Sequence, residues 1–311
     1  MAIFWNEKVF LCAIEPGYGQ APVLSASDAI LATNIRLTPM EGQDVSRDLE
    51  LPFMGAEGTI PADIHVRMQF NVELVASGAA GQAPAAGKIL RACGCAEVIV
   101  DNTSVTYTPV SRAHESAAIH LWIGDTRYVL KGSRGTAVLR VNASGVPMAE
   151  IDMTGLFVMP SEVQPVVPDL DDQIDADVQV ATSANTPVFT IGGAPFVMRS
   201  FALNLGNRVE TRFLIGSESV LITGRSEMIE TTVEAVPLTT FNPFAQAQTR
   251  AKLPVALQHG TAAGHRVGIT VPRAQMQRLA GLEEQQGIKE WPLRLVPLHD
   301  EGNDQFAITF T

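Results

Sequence analysis

The chain has 311 residues, a net charge of −11, 46% hydrophobic residues and 18% charged ones. That length supports two ordinary domains with cores of their own. The acidic balance excludes a protein that grips nucleic acid through counterion release. Frequent Gly and Pro with few aromatics suit a turn-rich β protein. Cys12, Cys93 and Cys95 form an odd set without secreted-type spacing, so free thiols in a reducing compartment are expected.

Residues 1–24 read as an extended arm. Phe4, Trp5, Val9, Phe10, Leu11 and Ile14 make it apolar, and Pro-Gly-Tyr-Gly breaks it. Glu7, Lys8 and Glu15 interrupt the apolar stretch, so it is not expected to serve as a signal peptide. No run reaches transmembrane length. Strands are predicted over 34–38 and 45–51 around a Pro-Met-Glu-Gly turn. The clearest strand is 64–74, IHVRMQFNVEL, where apolar Ile64, Val66, Met68, Phe70, Val72 and Leu74 alternate with polar residues without a miss. A Gly/Ala-rich loop at 77–87 leads into a predicted helix over 86–98. Strands follow at 117–123, 126–131, 136–142 and 148–158, with Gly-Asp, Gly-Ser-Arg-Gly and Asn-Ala-Ser-Gly as turns.

Residues 166–186 read as an acidic, Pro-rich linker carrying Asp169, Asp171, Asp172, Asp175 and Asp177. Beyond it strands are predicted at 199–205, 209–215, 226–236, 253–258, 265–271, 291–298 and 304–310. A polar loop at 273–287 has room for a turn or two of helix. The two halves resemble each other. IRLTPMEGQDVSRDLEL followed by IPADIHVRMQFNVELV is echoed by FALNLGNRVETRFLI followed by LITGRSEMIETTVEAV. Val72-Glu73 then falls against Val233-Glu234. Ser226, Glu230, Thr232 and Glu234 take the face that His65, Gln69, Asn71 and Glu73 take in the first half, with Met228 interrupting it.

Chemical motifs are weak. GQAPAAGKI (81–89) has five residues between its glycines and Ile89 where a phosphate loop needs Ser or Thr. Cys93-Gly94-Cys95 lacks a second ligand pair and zinc-type spacing. The aspartate run lacks the glycine and distal glutamate of a calcium loop. The six histidines are scattered, with no catalytic signature. No enzyme activity, cofactor or metal is expected.

The train from KVFLCAIEPGYGQAPVLSASDAILATNIRLTPMEGQDVSRDLEL through VASGAAGQAPAAGKILRACGCAEVI, roughly residues 8–100, resembles the major tail tube proteins of phages with long, non-contractile tails. The closing GITVPRAQMQRLAGLEEQQGIKEWPLRLVPLHDEGNDQFAITFT resembles the last strands of such proteins. The resemblance implies a mainly β chain of tandem tube-type β-sandwich or barrel domains, with a helix packed on the first. The divisions would be an arm at 1–24, a first tube domain at 25–165, the linker at 166–186 and a second tube-like domain at 187–311. It implies a subunit whose hairpins join across copies into a closed barrel, with rings stacked into a conduit for the genome. Two tube domains per chain would give a trimeric ring with pseudo-sixfold symmetry; the alternative is a true hexamer with a decorating C-terminal domain. A contractile-device or type VI-like inner tube shares the fold, and a carbohydrate- or receptor-binding β-sandwich is the reading from a different class.

On that resemblance His65, Arg67, Gln69, Asn71, Glu73, Ser226, Glu230, Thr232 and Glu234 face the lumen. Arg67 opposes the acidic trend there and is expected to pair with a carboxylate. Phe4, Trp5, Phe10, Asp169, Asp171 and Asp172 are candidate contacts between subunits or rings, as is the loop at 39–59. Partners would be further copies of the chain, a tape measure protein, tail terminator and baseplate or distal tail proteins, and double-stranded DNA in transit without specific binding. No membrane is implied. The location would be the virion tail, assembled in the bacterial host cytoplasm.

Overall fold

The computed structural model describes residues 3–174 and 176–311; Asp175 of the acidic run lies outside them. The fold is mainly β, as expected. The first half contains β1 (Lys8–Ile14), β2 (Thr33–Ser46), β3 (Thr59–Glu73), α1 (Gly87–Ala92), β4 (Cys95–Val100), β5 (Ser104–Pro109), β6 (Ala117–Ile123), β7 (Thr126–Asn142) and β8 (Met148–Glu162). After it come α2 (Asp171–Ile174), β9 (Val188–Ile191), β10 (Ala194–Pro195), β11 (Met198–Asn204), β12 (Asn207–Leu214), β13 (Ser217–Arg225) and β14 (Met228–Glu234). The chain closes with α3 (Pro243–Gln248), β15 (Lys252–His259), β16 (Val267–Met276), β17 (Glu283–Gln285), β18 (Ile288–Pro297) and β19 (Ala307–Phe310).

One strand order occurs twice. In the first half the antiparallel neighbours run β1–β6–β7–β8–β3–β2. In the second they run β9–β15–β16–β18–β14–β11. In each, a short helix follows the second strand of the long hairpin, α1 after β3 and α3 after β14. Asn242 caps α3 by accepting from the Ala245 amide, with Pro243 in the first turn. Two pairings cross between the halves: β11 on β7, and β19 on β5.

The alternation in β3 sets the packing. Val66, Met68, Phe70, Val72 and Leu74 are buried, while Arg67 and Gln69 are exposed and His65, Asn71 and Glu73 are half-buried. Each fully buried apolar side chain is worth about 2 kcal/mol, so a one-residue slip of this strand would expose several at once. The core is continuous across the halves. Edge-on aromatic contacts join Phe10 to Phe70 at 4.9 Å, Phe189 to Phe201 at 5.9 Å and Tyr107 to Phe310 at 5.8 Å.

Several predicted elements differ. The N-terminal segment packs on its own half: β1 is the end strand beside β6, with Leu11 and Cys12 fully buried. The buried Glu15 carboxylate anchors the following loop, accepting from Gly19 N, Ser116 Oγ and Gly132 N. The predicted turn at 39–42 is absent: β2 runs through Pro39 with shifts of register. A proline is tolerated there because β2 lies at a sheet edge and owes no amide to a second neighbour. The predicted strand at 45–51 ends at Ser46, and the irregular tip occupies the residues beyond.

The predicted 86–98 helix stops at Ala92. Gly94 adopts φ +77°, a left-handed conformation that ends the helix, and the β-branched Val98, Ile99 and Val100 continue as β4. Gly-Ser-Arg-Gly is an irregularity inside one 17-residue strand, β7, with Gly132 at φ +57° against the Tyr18 ring. The 273–287 segment holds no helix; it contains the end of β16 and the short β17.

Candidate functional site

The candidate site is one face of a continuous sheet. Its strands lie in the order β2–β3–β8–β7–β11–β14–β18–β17, four from the first half and four from the second. Directly opposed residues of antiparallel neighbours share a face. Gln69 opposes Asp152 on β8, Asp152 opposes Thr136 on β7, and Ala202 on β11 opposes both Arg140 and Glu230. Those residues all lie on the face opposite the core.

Arg67, Arg140, Arg199 and Arg294 on this face are each held by a carboxylate, and Arg134 is held by the carbonyls of Glu115, Val220 and His114. Arg67 grips Asp152 with two hydrogen bonds, Nε at 2.9 Å and Nη2 at 2.5 Å, and Gln69 Nε2 adds a third at 3.0 Å. Burial is the largest single influence on the Asp152 carboxyl and raises it, but the Arg67 and Gln69 donors and the Arg67 charge together outweigh it and hold the group below its ordinary range. Arg140 pairs with Glu150 at 2.7 Å, and Arg294 with Glu230 at 2.9 Å. Arg199 reaches Glu290 across β14, and its hydrogen bonds depress the Glu290 carboxyl. The cations are therefore engaged laterally, leaving Glu73 and Glu234 as surplus negative charge.

The nine residues expected on this face divide as follows. His65, Arg67, Gln69, Asn71 and Glu73 lie along β3, with His65 Nδ1 at 2.8 Å from the Asp63 carbonyl and Nε2 at 4.0 Å from Glu41. Glu230, Thr232 and Glu234 lie along β14. Ser226 is exposed in the link between β13 and β14, its amide donating to Gly206 O. At the His65 end, the hairpin β12–β13 parts from β7 and leaves a polar cleft of about 640 Å³ lined by Glu41, His65, Arg67, Asp152, Asn207 and Thr211.

Asp152, Glu150, Arg140, Arg199, Glu290 and Arg294 belong to the same face and were not singled out from the sequence. A signal for the first three is present in the alternation of Ala149, Ile151 and Met153 with Glu150, Asp152 and Thr154, and of Leu139 and Val141 with Arg140. The last three required the β11–β14–β18 pairing.

Of the candidate contacts with other copies, Phe4 and Trp5 are 65% and 63% exposed, with the Lys8 ammonium 4.1 Å from the Trp5 ring centre. Phe10 is not available for such a contact: it is 5% exposed and packs on Phe70. Asp169 is exposed just before α2 and Asp171 and Asp172 in its first turn; the helix is tied to the first half by Gln173, which accepts from Leu31 N and donates to Ala29 O. Exposed apolar side chains gather at the two hairpin tips, Phe53 and Met54 beyond β2, and Leu214 and Ile215 at the end of β12.

The weak motifs acquire structural roles. Lys88, in the glycine-rich segment, pairs with Asp28 at 2.7 Å. Cys12 and Cys95 are buried, and that burial pushes both thiols up to about 12; Cys93 is raised by the same cause. Among the described residues no group of three or more His, Cys, Asp or Glu side chains is placed to hold a metal ion. The chain matches no protein-family model, and a search of curated proteins returns no significant match.

Proposed function

We propose that the protein is a structural subunit of a phage tail tube, in which copies join edge to edge into a ring and rings stack into a hollow conduit. The observation that carries the reading is the eight-strand sheet: greasy on the side facing its own core, wet and mildly acidic on the other, and open at both ends. Open edges invite pairing with another chain, and ring closure removes them. The doubled strand order supports two tube-type domains in tandem, at about 25–165 and 187–311.

Because the second half supplies β11, β14, β18 and β17 to the same sheet, three copies rather than six complete the ring. Twenty-four strands at about 4.8 Å spacing give a perimeter of roughly 115 Å and a backbone-to-backbone width of about 37 Å before strand tilt widens it. That leaves a bore for duplex DNA. Paired arginines and surplus carboxylates present no free row of cations to phosphates, so DNA is kept moving. A tape measure protein would fill the bore before ejection, and terminator and distal tail proteins would cap its ends. The exposed tips at 47–58 and 214–216, with Phe4 and Trp5, are the surfaces for ring stacking.

Other readings fit less well. A carbohydrate-binding sandwich needs an open aromatic platform; Trp122 and Trp291 are buried, and the exposed Trp5 ring lies under the Lys8 ammonium. A hydrolase using Glu73 and Glu234 would need carboxylates about 5–9.5 Å apart. Those two lie four strand spacings apart, on the order of 19 Å. Electron microscopy and mass measurement of the purified chain test the proposal. Rings of three chains, or hollow striated filaments, are expected; monomers persisting across concentration, salt and pH would refute it.

A further inference from the structure

The chain carries its own template for the joint between copies. Within the chain, β11 begins the second set of four strands and lies on β7, which ends the first. In a ring, β2 of one copy would meet the opposite edge of the next copy in the same way. Strand equivalence follows from the pairings. Val72 opposes Ala149 where Val233 opposes Trp291, so Trp291 stands in the place of Ala149 and Ile229 in that of Met68. Leu37 opposes Met68 and Leu203 opposes Ile229, so Leu37 is the counterpart of Leu203. On the other edge, Leu139 opposes Ala149. Extending the β17 register of Glu283 on Glu290 by one residue puts Leu282 opposite Trp291, in the place of Leu139.

Inside the chain Leu203 pairs with Leu139 and Ala202 with Arg140. We propose that a second copy of this chain docks in the equivalent register, with Leu37 opposite Leu282 and Arg36 opposite Glu283, in antiparallel pairing. This rests on the tube reading above and specifies its seam. The chemistry at both edges fits. Leu282 is 57% exposed beside the buried Trp291 and gains an apolar neighbour on the core side. On the polar side, Glu234, Glu290 and Glu283 form a row across three strands. Arg199 answers Glu290, while Glu283 ends the row at the open edge and makes no ion pair among the described residues. Arg36 is likewise exposed and in no ion pair among the described residues, at the free edge of β2. Opposite charges directly across a strand pair stabilise it, and like charges oppose it.

The test is cysteine cross-linking of the full chain. The native thiols are buried, so new pairs can be read alone. Leu37→Cys with Leu282→Cys, oxidised, should convert monomer into a covalent trimer and nothing larger. The offset pair Leu37→Cys with Gln285→Cys should stay monomeric, because three residues of displacement, about 10 Å, exceed disulfide reach. In parallel, Arg36→Glu should reduce ring formation about tenfold or more, and adding Glu283→Arg should restore it. Wild-type rings with cross-linking only in the offset pair, or with no rescue by the double charge reversal, would overturn the register and leave the tube intact. A wild-type chain that never forms rings would overturn both.

Discussion

Replacing Phe70 and Gln69 by alanine, one at a time, separates the two faces of β3 quantitatively. Phe70 is 1% exposed and meets the Phe10 ring at 4.9 Å. Truncating a buried phenylalanine costs about 3–5 kcal/mol, and loss of the edge contact places this site toward the upper part of that range, about 4 kcal/mol. Unfolding entropy near the midpoint is about 2.1 cal/mol/K per residue, or roughly 0.65 kcal/mol/K for this chain. Phe70→Ala should therefore lower Tm by about 6 °C. Gln69 is exposed and contributes one hydrogen bond to a carboxylate that Arg67 already holds twice. Gln69→Ala should cost at most about 1 kcal/mol, or about 1.5 °C. Differential scanning calorimetry of both variants at one scan rate decides it. Equal losses, or a larger loss for Gln69→Ala, would refute the assignment of inward and outward faces.

Glu15→Ala leaves two amides and the Ser116 hydroxyl without their acceptor, so a loss of about 2–4 kcal/mol is expected in urea unfolding, with little change in the slope. His120 is held down from its ordinary 6.5 to about 4, first by burial and then by Arg127 and Lys131. Its folded pKa lies below the unfolded one, so the native state is unpenalised above pH 6.5 and loses stability as pH falls from 6.5 toward 4. Replacing His120 by a neutral residue should flatten that part of a stability-versus-pH curve. Cys12, Cys93 and Cys95 should resist a disulfide-exchange reagent at pH 8 in the native state and react in denaturant, a difference read by absorbance.

What could be read in advance was local. Strict alternation in 64–74 identified both faces of β3, and the hairpin likeness between the halves anticipated the doubled strand order. The errors came where a distant neighbour overrode a local signal. Pro39 reads as a turn until β2 is known to be an edge strand with one partner. Gly132 reads as a break until β6 and β8, pairing on either side of it with a shift of register, carry β7 through. Val98 falls on the apolar face of the predicted helix with Ile89, Leu90 and Cys93, yet Gly94 diverts the chain into pairing with β5. The charged pairs on the polar face were half legible. Arg67 called for a carboxylate, but Asp152 lies 85 residues away and only the β3–β8 register brings them together.

The pairings of β11 on β7 and β19 on β5 bind the fate of each half to the other. Melting either one strips hydrogen bonds from the strand edges of its neighbour and opens the shared interior to water. Heat or urea should then dismantle the molecule in a single cooperative step. A protease nick within 176–186 should leave two fragments that remain associated and part only when the whole unfolds.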